Sequence, residues 1–458
     1  MAAALTAAPP IMLHSQNPHY FLFRGKPTVL ITSGEHYGAL INLDFDYRKY
    51  FEELAEHRLN LTRTFTGPYL EVHGSFNISE NTLAPKPGRF IAPWPESGGK
   101  FDLTKWNAAY FARLKDFMSE ASRRGVVVEL VLFCPYYRDD MWNVSPLNIR
   151  NNVNGIGDVK RTDVLALKDE ALTRVQEEMV RKLVAELKDF DNLYYEICNE
   201  PYFHGVTLEW QRHISKVIED AEAGFPNKHL IAQNIANGSV RVENPDPRVS
   251  LFNFHYSRPP DSVAMNYDLN KAIGMNETGF DGQADAVYRI QGWDFLLAGG
   301  ALYNNLDYSF APGHEAGTYQ YPESQPGGGT RTLRRQLRHL REFMDSLDFI
   351  RMKPAEGVIA GSIPDGAHMR ALAEPGTQYA IYIHHAQVVK NAKPRVQVDG
   401  KPRSQEVRLN LPEGSYRAEW LNPKTGKVDA SERFRHAGGE RVLQSPAYTE
   451  DIALWVRK

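Results

Sequence analysis

The stretch LYYEICNEP, residues 193–201, runs from apolar and aromatic residues straight into Asn199-Glu200-Pro201. Proline has no N–H to give a sheet ladder, so pairing stops at Pro201 and Glu200 stands at the lip of whatever sheet the strand joins. Seven more short apolar runs surround it: TVLITSG (28–34), LNLTRTF (59–65), VVVELVLF (126–133), HLIAQNI (229–235), SLFNFHY (250–256), AIGMNE (272–277) and GGALYNNL (299–306). Longer helical patterns separate them. Between the third and fourth runs, Leu172, Val175, Met179, Leu183 and Leu187 recur at three- and four-residue spacing, which gives a helix one apolar face with which to cover a sheet. Eight strands alternating with helices predict an α/β chain, a (β/α)8 TIM barrel with its functional groups at the C-terminal strand ends. A doubly wound open sheet is the alternative. Several runs are apolar throughout, as strands buried on both faces are, so alternation does not tell which side chains point inward.

The pattern changes after the helical LRRQLRHLREFMDSLDF. From residue 354 onward only short β-like runs broken by turn signals occur, which predicts a small all-β sandwich at 354–458 packed on a catalytic barrel at 11–353. Two connections are far longer than usual, the one after the third strand (134–163) and the one after the eighth (311–331). They suggest a pocket rather than an open cleft, and hence action at chain ends. Gly327-Gly328-Gly329 lacks a following Gly-Lys-Ser/Thr and is not a phosphate loop.

Composition excludes several function classes. A formal net charge of −3 over 458 residues, without a basic run, gives no field for nucleic acid. No apolar run approaches the roughly 18 residues that a membrane span needs. Cys134 and Cys198, the only cysteines, are too few for a disulfide framework or a zinc site and read as buried thiols. No ligand cluster or nucleotide fingerprint implies a metal or organic cofactor. Of five Asn-x-Ser/Thr triplets, those at Asn60 and Asn276 fall in strand-like segments that could not take a glycan. The opening MAAALTAAPPIM looks like a methionine placed before a mature start, as in a secreted or periplasmic protein whose signal has been removed; a native cytosolic start fits as well.

On this barrel Glu200 ends strand four and Glu277 ends strand seven, so two carboxylates face each other across one mouth. Cleavage of a glycosidic bond uses such a pair, one to protonate the departing oxygen and one to attack the anomeric carbon or activate water. EICNEP on strand four, MNETG on strand seven, Asn60-x-x-Arg63 on strand two and His255-Tyr256 on strand six together resemble the retaining β-glycosidases of glycoside hydrolase clan A, closest in style to family 5. The resemblance covers the barrel, through motifs rather than continuous similarity. It implies a carbohydrate substrate, Glu200 as acid/base, Glu277 as nucleophile, Asn199 on the sugar 2-hydroxyl and Arg63 holding Glu277 ionised. The charge of Glu277 would in turn raise the Glu200 pKa. A transglycosylase would use the same site, and a non-catalytic carbohydrate-binding protein is the rival from another class.

Each residue has a plainer reading beside this one. Glu196 lies about 13 Å down the strand from Glu200 and reads as half of an internal salt bridge, for which Arg63 is a candidate partner. Adjacent strand residues point to opposite faces, so His255 is favoured inward over Tyr256 although both are candidates. Glu35 and His36 would stand at the mouth if strand one ends near Gly34. Trp142, Tyr136 and Tyr137 could offer flat faces to a sugar ring. Two departures from family 5 stand out: Asn305-Leu306-Asp307-Tyr308-Ser309-Phe310 where a tryptophan commonly follows strand eight, and Ser257 where a tyrosine commonly follows the strand-six histidine by two.

Overall fold

A computed structural model describes residues 8–325 and 327–458. Residues 1–7, which carry most of the reading of the N-terminus, lie outside them. All eight expected strands form: β1 (Leu30–Gly34), β2 (Leu61–Phe65), β3 (Val127–Phe133), β4 (Leu193–Cys198), β5 (Leu230–Asn237), β6 (Leu251–His255), β7 (Ala272–Glu277) and β8 (Leu302–Leu306). They make one parallel sheet in the order β1-β8-β7-β6-β5-β4-β3-β2. It curls into a barrel whose last gap, between β1 and β2, is bridged largely by one side chain. Asn60 accepts from Ile31 N at 2.9 Å and donates to Val29 O at 2.9 Å, and its own N–H reaches Ile31 O at 3.1 Å. Further up the seam, Phe65 N donates to Tyr37 O at 3.0 Å.

Helices α1 (Tyr47–Glu56), α2 (Ala108–Arg123), α3 (Asp139–Val144), α4 (Glu170–Leu187), α5 (Leu208–Ala221), α6 (Asp261–Asn266), α7 (Asp285–Leu297) and α8 (Arg331–Ser346) fill the connections. The helix legible in the sequence is α4. Asp169 caps it by accepting from Leu172 N at 2.9 Å, and Leu172, Met179, Leu183 and Leu187 are buried while Val175 is half-buried. Asn60 and Asn276 are buried, and both cysteines are buried free thiols.

After the barrel come β9 (Lys353–Pro354), β10 (His368–Glu374), β11 (Gln378–His384), β12 (Glu406–Leu411), β13 (Gly414–Leu421), β14 (Val428–His436), β15 (Gly439–Gln444) and β16 (Asp451–Arg457). A six-stranded sheet, β9-β10-β11-β16-β13-β14, faces the ribbon β12-β15. The period-two rule separates its two faces. Tyr379, Ile381 and Ile383 join Leu409 and Leu443 in a core between sheet and ribbon, whereas Ala380, Tyr382 and Ala453 join the barrel's core. On that side the Tyr382 ring stacks on Trp293 of α7 at 5.4 Å. Arg289 of α7 clasps Asp451 with Nε–Oδ2 2.9 Å and Nη2–Oδ1 2.8 Å, and Arg370 Nε meets Asp294 Oδ1 at 2.8 Å.

This junction has a calculable acid limit. Burial raises the Asp294 carboxyl pKa, but His384 and Arg370 outweigh it and hold the group at about 2, against 3.8 in the unfolded chain. A depressed carboxyl contributes stability that is whole above pH 3.8 and lost as pH falls towards about 2. The contribution is about 2 kcal/mol. Asp294→Asn is therefore expected to lower the denaturation midpoint at neutral pH and to flatten stability over this acid window. Urea titrations at stepped pH check it, and an unchanged acid slope in the variant would contradict it.

Candidate active site

The eight C-terminal strand ends converge on a cavity of about 320 Å³. Aromatic rings form much of its wall, including Tyr37, Phe65, Tyr69, Tyr137, Tyr256 and Phe280. Glu200 and Glu277 both line it, and one oxygen of each lies within 4.8 Å of the other. His255 Nδ1 sits between them, 3.1 Å from Glu200 Oε1 and 3.4 Å from Glu277 Oε1. These three residues are the one group among the described residues whose donor atoms could together hold a cation.

Glu277 is held by three donors. Tyr256 OH donates to Oε1 at 2.7 Å, Tyr37 OH to Oε2 at 3.0 Å, and Arg63 Nη1 to Oε2 at 3.4 Å. Arg63 lies over the Tyr37 ring at 4.5 Å and reaches downward to Glu196 and sideways to Asn199 Oδ1 at 2.8 Å. Arg63 is thus in contact with both acids, Glu196 within the barrel and Glu277 at the mouth.

Glu200 is bound from the other side. Tyr137 OH donates to Oε2 at 2.5 Å and itself accepts from Asn199 Nδ2 at 2.9 Å. Tyr202 OH lies 3.2 Å from Oε1 and 2.6 Å from Asn237 Oδ1. Burial pushes the Glu200 carboxyl up, but His255, Tyr137 and Tyr202 outweigh burial and leave it below the ordinary range. That departs from the sequence expectation. A negative neighbour raises a pKa, and here the donors aimed at Glu200 win.

His255 and Tyr256 both enter the site, where strand parity allowed one. β6 ends at His255 with a register shift against β7, and Tyr256 takes φ 50°, which swings its ring back over Glu277. Tyr37 (φ 64°) and Glu200 (φ 38°) share this uncommon left-handed backbone, each just past a strand end. His36 lines the cavity with Nε2 3.4 Å from Glu71 Oε2. Burial lowers its pKa, yet the charges of Glu71, Glu277 and Glu35 leave it raised.

Three candidates, Glu35, Trp142 and Tyr136, do not reach the cavity. Glu35 turns its carboxylate into its own loop, accepting from Gly38 N at 3.0 Å, Ala39 N at 3.1 Å and Thr82 Oγ1 at 2.6 Å. Trp142 is buried in the third connection with Nε1 on Val159 O at 3.0 Å, against Tyr136 rather than at the mouth. Tyr136 spends its hydroxyl on Pro68 O and Ser145, whereas Tyr137 is the aromatic that enters. After β8, Asp307 is a buried partner of Arg334 at 2.6 Å and Ser33 at 2.8 Å. Tyr308 is buried behind Phe280, 6.2 Å between ring centres. The sequence reading passed over Tyr37, Tyr202 and the long second connection, which brings Tyr69, Glu71 and Phe76 to the wall. That second connection is also where the eighth loop docks, with Asn77 Nδ2 on Ser324 O at 2.7 Å and Ser79 Oγ on Gln325 Oε1 at 2.7 Å.

No family model and no curated protein matches the sequence. Solved structures do match by shape. One described as a glycoside hydrolase is 13% identical, with 98% of this chain and 97% of that one covered and a TM-score of 0.62. A glycoside hydrolase family 5 structure from Bacteroides vulgatus is 11% identical, with 98% and 94% covered and a TM-score of 0.63. This chain shares their fold. The endo-1,4-β-mannanase of Rhizomucor miehei, 13% identical, is covered over 100% of its length by 74% of this chain, at a TM-score of 0.51. Both of the longer matches therefore run through barrel and β-sandwich together.

Proposed function

We propose that this protein is a retaining β-glycosidase of glycoside hydrolase clan A, in the style of family 5. The observation that carries the reading is the approach of Glu200 and Glu277 oxygens to within 4.8 Å across the cavity. Retaining enzymes separate the two carboxyls by about 5–5.5 Å, and inverting ones by about 6.5–9.5 Å to admit a water. Glu277, held in place by Arg63 and two tyrosine hydroxyls, attacks the anomeric carbon. Glu200 protonates the departing oxygen. A glycosyl-enzyme forms, and Glu200 then takes a proton from the water that releases the sugar.

The low resting pKa of Glu200 bears on the acid step. His255 Nε2 is buried without a partner, so the ring's hydrogen bonding is directed through Nδ1 to Glu200 Oε1. In this reading His255 Nδ1 orients the Glu200 carboxyl, and the leaving oxygen takes its proton from Glu200. Asn199, on the same wall, is the group for the sugar 2-hydroxyl. The long third and eighth connections bear on action at chain ends, and the same reading takes 11–353 as the catalytic barrel and 354–458 as an accessory domain seated on α7. The acid behaviour of Asp294→Asn tests that seating.

Proton NMR of a digest over a panel of β-linked oligosaccharides and aryl β-glycosides tests the function. The first product is expected to be a single sugar in the β-anomeric form, mutarotating later. An initial α-anomer would refute retention, and early internal fragments would refute action at chain ends. A predominance of longer products with excess sugar acceptor would identify a transglycosylase.

A further inference from the structure

Directly below the cavity, two carboxylates and one guanidinium fill the barrel's centre. Arg63, Glu129 and Glu196 are all fully buried, from β2, β3 and β4. Asn253 of β6 and Asn276 of β7 each aim one amide group at both acids. Asn253 Nδ2 lies 2.8 Å from Glu129 Oε1 and 2.9 Å from Glu196 Oε2; Asn276 Nδ2 lies 2.9 Å and 2.6 Å from the same two atoms. Oxygens that accept from the same two nitrogens are brought against each other. Two bare carboxylates so placed repel strongly in a medium without water.

The charge count sharpens this. Arg63 also serves Glu277, so three acids surround one cation in the barrel interior. Arg63 makes hydrogen bonds to Glu196 and Glu277, but its Nε is 3.7 Å from Glu129 Oε2 and neither of those atoms has a hydrogen-bond partner. Glu129 is thus the acid that the guanidinium serves least. The other titratable groups facing the pair are Tyr194 and Cys198 from β4 and His255 from β6, and beyond Arg63 the Tyr37 hydroxyl.

We propose that Glu129 stays protonated and donates its proton to Glu196, so that the buried pair carries one negative charge and leaves Arg63 free to hold Glu277 in position. Glu129 is then a positioning residue, acting through Glu196 and Arg63. The directions of the two pKa values agree. Burial and the charge of Glu196 push Glu129 well up, while Arg63 and the bond from Glu129 outweigh burial and hold Glu196 down. A glutamine side chain is the neutral group nearest in shape to a protonated carboxyl, keeping a carbonyl that can accept from Asn253 and Asn276 and removing the acid proton.

The role of Arg63 on the nucleophile rests on the proposed function; the shared proton does not. Glu129→Gln is therefore the test, read in two ways. Infrared difference spectra of wild type minus variant at neutral pH are expected to show the C=O stretch of a buried protonated carboxyl, lost in E129Q. Activity of E129Q is expected within about threefold of wild type with an unshifted pH–rate profile, because no charge has been removed. The double variant E129Q/E196Q leaves Glu277 as the sole counter-charge of Arg63 and is expected to lose about 100-fold in kcat through misplacement of the nucleophile. The absence of the infrared band overturns the shared proton whatever the activity. An E129Q loss as deep as the double variant's, or an acid limb shifted to lower pH, overturns the positioning role. Should no glycoside be cleaved by the wild type, the infrared result still decides the proton's place.

Discussion

The Glu277→Ala protein is expected to form no glycosyl-enzyme from any substrate, however good its leaving group, because the attacking carboxylate is gone. Turnover should fall on the order of 10⁴-fold or more. The site it vacates keeps three donors, Tyr256 OH, Tyr37 OH and Arg63 Nη1, which met the two carboxylate oxygens at 2.7, 3.0 and 3.4 Å. Such a ring of donors suits a small anion. Azide bound there faces the sugar from the nucleophile's side, so an activated β-glycoside should yield the α-glycosyl azide by one inversion. Mass spectrometry of quenched reactions and NMR of the azide product check both parts. A trapped covalent adduct in this variant, or a β-azide from it, would move the nucleophile elsewhere.

Glu200→Ala should divide substrates by leaving group. Dinitrophenyl glycosides need little protonation, so their first step is spared, whereas unactivated glycosides should slow by about 10²–10⁴-fold. The second step lacks its base for both, and the intermediate should accumulate on Glu277. Azide in place of the lost carboxylate would meet Tyr137, Tyr202 and His255, the same three groups that hold Glu200. Attack from that side on the glycosyl-enzyme gives the β-glycosyl azide after two inversions. Pre-steady-state bursts with dinitrophenyl substrates measure the accumulation. Equal slowing of activated and unactivated substrates would remove Glu200 from the acid role, and exchanged azide anomers would reverse the two assignments.

The barrel was legible because each of its strands is a compact apolar run closed by a turn signal, and Pro201 after Glu200 marks an end that the structure keeps at Cys198. Strand ends brought Glu200 and Glu277 to one place, and the family resemblance added Arg63 and His255. What the sequence hid lies where the backbone leaves regular geometry. A period of two forbids His255 and Tyr256 from sharing a face, and only the left-handed turn at Tyr256 permits it. Tyr37 is hidden for the same reason. Glu35, two residues earlier, reads as the polar group of that loop, yet a carboxylate followed by free backbone N–H groups satisfies them first. Glu129 sits in an otherwise apolar run and passes for a tolerated exception, since nothing in one strand reveals the two amides waiting on β6 and β7. Trp142 illustrates the converse: a large ring in a long loop most often builds the loop's own core.

The side-chain latch at Asn60 gives the barrel a preferred place to breathe. Elsewhere strand amides are locked by ladders on neighbouring strands, but Ile31 N–H is protected by an amide side chain that one rotation can withdraw. Brief openings should therefore begin between β1 and β2, and the amide protons of Ile31 and Phe65 should exchange with deuterium sooner than those of β3 and β4. The seam runs directly up to Tyr37, whose hydroxyl touches Glu277, so an opening of this joint would reach the placement of the nucleophile. A barrel closed this way holds seven of its joints by full main-chain ladders and the eighth by two main-chain bonds and the side chain of one asparagine.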